Sequence, residues 1–159
     1  MTSNQVRKSP HVGEERKKRN QFTIPVFPHV KKFILKNYQV CDPIKIEEYN
    51  ILGKSVTLAL RETRSLPGKG YQVENLTASI TVVLTSEQSK LGPRISKLIR
   101  INVDMDRLFK EHLLSWIYAL KTAGIPPFTA CKMFLEHFSI DEKEYSLDAA
   151  YKYWQRTKD

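Results

Sequence analysis

The chain has 159 residues, the size of one ordinary domain able to bury a core, and an apolar content of 41% with 16 aromatic residues excludes a wholly disordered protein. The formal net charge of +9 favours polyanionic partners, and no apolar run approaches the roughly 20 residues of a membrane span. Two widely separated cysteines, Cys41 and Cys131, behind a polar start with no apolar leader predict free thiols, a reducing compartment and a cytoplasmic protein.

Residues 1–20 contain Pro10, Gly13 and the run Arg16-Lys17-Lys18-Arg19 with almost nothing to bury, the composition of a disordered basic arm. Next, Phe22, Ile24 and Val26 alternate with Thr23 and Pro25 as in a half-buried strand, which Pro25 confines to a sheet edge or a strand end. After Pro28, the spacing of Val30, Phe33, Ile34 and Tyr38 predicts a short amphipathic helix. Asp42-Pro43 marks a turn, and a second helix is expected over residues 50–62 with Leu52, Val56, Ala59 and Leu60 inward. Residues 65–70 form a loop rich in Gly and Pro, and Leu76, Ala78, Ile80, Val82 and Leu84 then alternate as the clearest strand in the chain.

Two readings compete between Ser86 and Val103: a short helix over residues 93–100, or a strand in which Ile99, Ile101 and Val103 alternate. From Met105 through Leu108, Phe109, His112, Leu113, Trp116, Ile117 and Leu120, a continuous apolar stripe predicts a long helix stopped by Gly124 and Pro126-Pro127. Another helix from about Pro127 would bury Ala130, Cys131, Phe134, Leu135 and Phe138. A last one begins near Ser146, a good N-cap, with Leu147, Ala150, Tyr151 and Trp154 aligned. The expected fold class is α+β: a small strand and helix portion over residues 21–100, a three-helix portion over 101–159, and the arm of residues 1–20 before them.

Charge is unevenly divided. Residues 1–100 hold 18 Lys and Arg against 8 Asp and Glu, whereas residues 101–159 hold 8 against 9. A field of that sign attracts phosphate backbones without conferring sequence specificity. Arg16, Lys17, Lys18 and Arg19 either track phosphates or keep the chain soluble. Lys32 and Lys36, spaced i and i+4 with Lys31 beside them, lie opposite Val30, Phe33 and Ile34, as a phosphate-binding or a solvated face. If residues 93–100 are helical, Arg94, Lys97 and Arg100 share one side and Ile95, Leu98 and Ile99 the other.

No local signature of catalysis is complete. Gly53-Lys54-Ser55 has the end of a phosphate-cradling loop, but that pattern needs a glycine five residues before Gly53, where Glu48 stands. His11, His29, His112 and His137 make no metal-ligand spacing, and neither cysteine has a CxxC partner. Cys131 and His112 fall on apolar faces, as core or boundary residues. The expectation is a protein with no enzymatic activity, metal, cofactor or small-molecule substrate.

The C-terminal helices resemble a helix-turn-helix arrangement, with residues 128–138 as supporting helix and residues 146–157 as recognition helix offering Tyr151, Lys152, Gln155 and Arg156. In general style the chain is similar to small accessory and regulatory DNA-binding proteins of phages and mobile elements. The connection over residues 139–145 is longer than the usual turn and carries Asp141, Glu142 and Glu144, which would repel a DNA backbone. The resemblance implies nucleic-acid binding. DNA is favoured over RNA because the clearest strand has no aromatic to stack on a base. The alternative is a structural or protein-interaction module, such as a phage assembly component. In that module Trp116, Phe128, Phe134 and Trp154 build a helical interface that could also pair two copies.

Overall fold

The computed structural model describes residues 20–46, 51–61, 73–92 and 95–157; the basic residues Arg16, Lys17, Lys18, Arg19 and Arg94 and the loop over 65–70 lie outside them. The class is α+β, with a small three-stranded sheet near the N-terminus and a mostly helical remainder. Strand β1 (Gln21–Val26) and strand β3 (Ala78–Val83) are antiparallel, from Gln21 opposite Val83 to Val26 opposite Ala78. The two-residue strand β2 (Ile44–Lys45) joins the other side of β3 in parallel, giving the order β1-β3-β2. Alternation sends Ile24, Val26, Ile80, Val82 and Leu84 into the core, and Pro25 lies on an edge strand, as its missing N–H requires.

Helix α1 (Pro28–Asn37) opens on its proline and buries His29, Val30, Phe33 and Ile34. Helix α2 (Ile51–Arg61) buries Leu52, Val56, Ala59 and Leu60, the residues its spacing selects. Thr85 caps the short α3 (Ser86–Lys90) in a reciprocal box: its hydroxyl accepts from the Gln88 amide, and the Gln88 side chain accepts from the Thr85 amide. Helix α4 (Ile95–Thr122) follows as one uninterrupted run of 28 residues, roughly 42 Å long.

This helix corrects the strand reading of Ile99, Ile101 and Val103 and fuses two expected helices into one. The N-terminal half of α4 is covered by both β1 and α2, so apolar residues occupy more than one of its stripes. Ile99 and Ile101 are both buried, and the doubled face imitates a strand's period of two. The division drawn at residue 100 falls inside α4, and one continuous apolar cluster runs from the sheet to the last helix.

At its far end α4 closes with Ile125 N–H on the Leu120 carbonyl and Gly124 N–H on the Lys121 carbonyl, the glycine taking φ +86° where a side chain would be strained. Helix α5 (Pro127–His137) packs on α4 and buries Ala130, Cys131, Phe134 and Leu135. Helix α6 (Leu147–Thr157) packs on α5 and buries Ala150 and Trp154. Its start is fixed by Ser146, whose hydroxyl accepts from the Ala149 amide, and by Glu142, whose carboxylate accepts from the Leu147 amide. No helix among the described residues is long and apolar enough to cross a membrane.

Candidate nucleic-acid interface

The basic side chains of α1 are held by the protein itself. Lys31 lies 3.4 Å from Asp42. Lys32 Nζ donates to the Ser139 carbonyl at 2.6 Å, to Glu144 at 2.6 Å and to Asp141 at 3.2 Å, and Lys36 donates to the His137 carbonyl. The Glu144 hydrogen bond raises the Lys32 ammonium above its ordinary pKa against the opposing effect of burial, with Asp141 adding to the rise. Repulsion between Lys32 and Lys36 is therefore offset by the connection between α5 and α6 laid across α1. That connection explains its own length and acidity. Glu144 also accepts from the Asp141 amide at 2.9 Å and Glu142 caps α6, so two of its three carboxylates serve the turn.

Lys32→Ala removes three interactions and leaves Glu144, which is 20% exposed, without its cation. We expect a loss of about 1.5–3 kcal/mol in urea unfolding, the range for hydrogen bonds to charged groups, with no change in any nucleic-acid affinity. A stable variant that binds nucleic acid poorly would return Lys32 to the interface.

On α4, Lys97 donates to the Leu60 carbonyl at 2.7 Å, which fastens the end of α2, and Arg100 is half-buried on the same helix. Three of the expected residues, Lys152, Gln155 and Arg156, stand exposed on α6 while Ala150 and Trp154 face inward. Two of them meet a partner that sequence reasoning missed. A groove of about 320 Å³ between α4 and α6 is lined by Lys110, Tyr145, Asp148, Lys152, Tyr153 and Arg156. Lys152 pairs with Asp148 at 2.8 Å on the exposed face, a contact that contributes little in water. Lys110 Nζ stands 5.7 Å from the centre of the Tyr153 ring. The sequence signal for Lys110 is its i,i+4 spacing from Asp106, just off the apolar stripe.

Beneath this groove lies a buried polar chain. His29, only 5% exposed, stacks on Phe27 and tilts against Phe109 and Tyr145. Its Nε2–H donates to Asp106 Oδ1 at 2.9 Å, while Asp106 Oδ2 accepts from Lys110 at 2.6 Å. Burial alone would push the Asp106 carboxyl up, but the hydrogen bonds from His29 and Lys110 outweigh it and hold the carboxyl below its ordinary value. Burial, and then the charge of Asp106, push the Tyr145 phenol up, so it remains a neutral wall of the groove. His29 and Asp106 are 77 positions apart, a pairing that periodicity does not carry. Cys131 is a core residue whose thiol burial pushes up to about 11, and His112 bonds the Leu108 carbonyl at 3.0 Å from a half-buried position.

Four aromatics were expected to form an interface if the helices were an assembly unit. Phe134 and Trp154 are instead buried in the chain's own core, Trp116 is half-buried, and Phe128 is exposed against Tyr151. No protein-family model, curated protein sequence or solved structure matches this chain.

Proposed function

We propose that the protein is a non-enzymatic, cytoplasmic nucleic-acid-binding factor, with DNA as the favoured target, which holds the phosphate backbone in the groove between α4 and α6 and presents α6 to the bases. The supporting observation is the convergence of Lys110, Lys152 and Arg156 on one groove walled by Tyr145 and Tyr153, with Asp148 as the acidic group of that lining. Gln155, exposed on α6 outside the groove lining, is the group able to reach base edges. An accessory or regulatory role of the kind found in phages and mobile elements fits a small binding module of this design. The basic arm of residues 1–20 adds phosphate contacts beyond the groove. The assembly reading retains exposed Phe128 but loses Phe134 and Trp154 to the core.

Binding of a labelled duplex of about 20 base pairs, followed by anisotropy across a salt series, tests this directly. Each neutralised phosphate lowers the log–log slope by about 0.9, so three groove cations predict a slope of about −2.7 or steeper. A flat salt response, or no binding at low salt, overturns the proposal.

A further inference from the structure

We infer that Phe128 of α5 and Tyr151 of α6 form a stacking step for an unpaired base, so that the site favours single-stranded DNA over duplex. The inference rests on the binding mode proposed above and names its substrate class. Phe128 is 50% exposed, and its ring meets that of Tyr151 at 5.4 Å with an interplanar angle of 80°. Tyr151 in turn lies on Trp154, with the ring centroids 5.6 Å apart and the planes 27° from parallel. Trp154 is buried, so the core fixes Tyr151 from beneath and Phe128 is the outer ring of the three. An edge contact with Tyr151 covers at most one face of Phe128 and leaves the other for a second flat ring.

The step adjoins the groove. Around the axis of α6, Gln155 lies about 40° from Tyr151, and Lys152 and Arg156 follow at about 100° and 140° on the same side. The surface passes from the groove cations through exposed Gln155 to the two rings. A strand whose phosphates sit at Lys152 and Arg156 has its bases on the side of Gln155 and Tyr151. On α5, Lys132 stands one turn beyond Phe128, about 40° round from it. Its pair with Glu136 is 3.8 Å long and exposed on both sides, a weak contact that a phosphate can replace.

An intact duplex engages the cations alone, because its bases are stacked on one another and their faces are closed to a side chain. A single strand leaves those faces open. Every base has one, so the rings accept any base while Gln155 is placed for its edge. The rival occupant of an exposed aromatic is a second copy of this chain. Charge disfavours it: the chain carries +9, and apposing two copies of this surface sets Lys132, Lys152 and Arg156 against their own equivalents.

The test compares three labelled probes at one ionic strength: an oligothymidine, an abasic strand of the same length, and the duplex of the salt series. The two strands carry the same phosphates and differ in their bases. Wild type should bind oligothymidine about five- to a hundredfold more tightly than the abasic strand, the range for one stacked base. Phe128→Ala should erase that difference and leave the abasic and duplex affinities in place. Phe128→Tyr keeps a ring and should restore most of it. Lys152→Ala with Arg156→Ala should weaken all three probes alike.

Equal wild-type affinity for the two strands overturns the inference and leaves the groove reading standing. So does a difference that survives in Phe128→Ala, which would place the stacking elsewhere. If Phe128→Ala abolishes self-association in sedimentation without touching the preference for bases, the rings join copies of the chain and the inference falls. Should that variant fail to melt cooperatively, photocrosslinking of wild type to a strand carrying 5-iodouracil decides. Adducts are expected at Phe128 or Tyr151, and adducts confined to other residues overturn the step. No binding of any probe at low salt refutes the proposed function as well.

Discussion

Phe109→Ala is expected to destabilise the whole protein by about 3–5 kcal/mol, the range for emptying a buried aromatic position. Phe109 is fully buried, and its ring meets Phe33 of α1 at 5.6 Å, Phe134 of α5 at 5.5 Å, and Tyr145 at 5.2 Å. It therefore touches the N-terminal helix, the C-terminal helices and their connection from the middle of α4. Because neighbours converge from several elements, no single one can collapse into the space. Urea unfolding should show one transition displaced to lower denaturant with its slope unchanged. Two transitions, only one of them displaced, would mean that the halves of the chain fold as separate cores.

Neutralising the groove should have the largest effect on binding. In the combined variant Lys110→Ala, Lys152→Ala, Arg156→Ala, the salt slope should fall by about 2.7, because each phosphate contact contributes about 0.9. At about 0.1 M salt that corresponds to a few hundredfold weaker binding, taking molar salt as the reference where the contacts vanish. Lys152 and Arg156 are exposed, so their removal should hardly move the melting temperature. The matched control removes Lys31, Lys32 and Lys36, the cations of α1 that are bonded to Asp42, Glu144, Asp141 and backbone carbonyls. It should cost stability and leave the slope in place. The opposite pattern would locate binding on α1 and leave the groove without a role.

Elements whose burial is one-sided were legible in the sequence. Helices α1, α2, α5 and α6 and the strands β1 and β3 each bury one stripe or one alternate set, and spacing selects their buried residues apart from His29 of α1 and Gly53 of α2. Besides the five-residue α3, whose Thr85 and Gln88 capping box was not read, two features escaped for definite reasons. The beginning of α4 is covered on two sides, so its pattern lost the helical period, and β2 is two residues long, too short to carry any period. The outward placement of Lys152, Gln155 and Arg156 followed from the inward placement of Trp154 and Ala150 on the same helix. The fate of Lys32 did not, because what covers a polar face depends on where a loop over a hundred residues away comes to rest. The same limit hid the chain from His29 through Asp106 to Lys110.

The pairing of β1 also bears on how copies of this chain can meet. Leu84 N–H bonds the Asn20 carbonyl at 2.8 Å, so Phe22, Ile24 and Val26 occupy the bonded positions of the ladder and Gln21, Thr23 and Pro25 turn their backbone groups outward. Pro25 has no N–H to offer, and the next outward amide, that of Phe27, is taken by the buried Asn102 side chain at 2.9 Å. An incoming strand laid along this rim would find amide donors only at Gln21 and Thr23, with β2 on the far side almost too short to template anything. Among the described residues, the sheet therefore offers an added strand little to pair with along this rim.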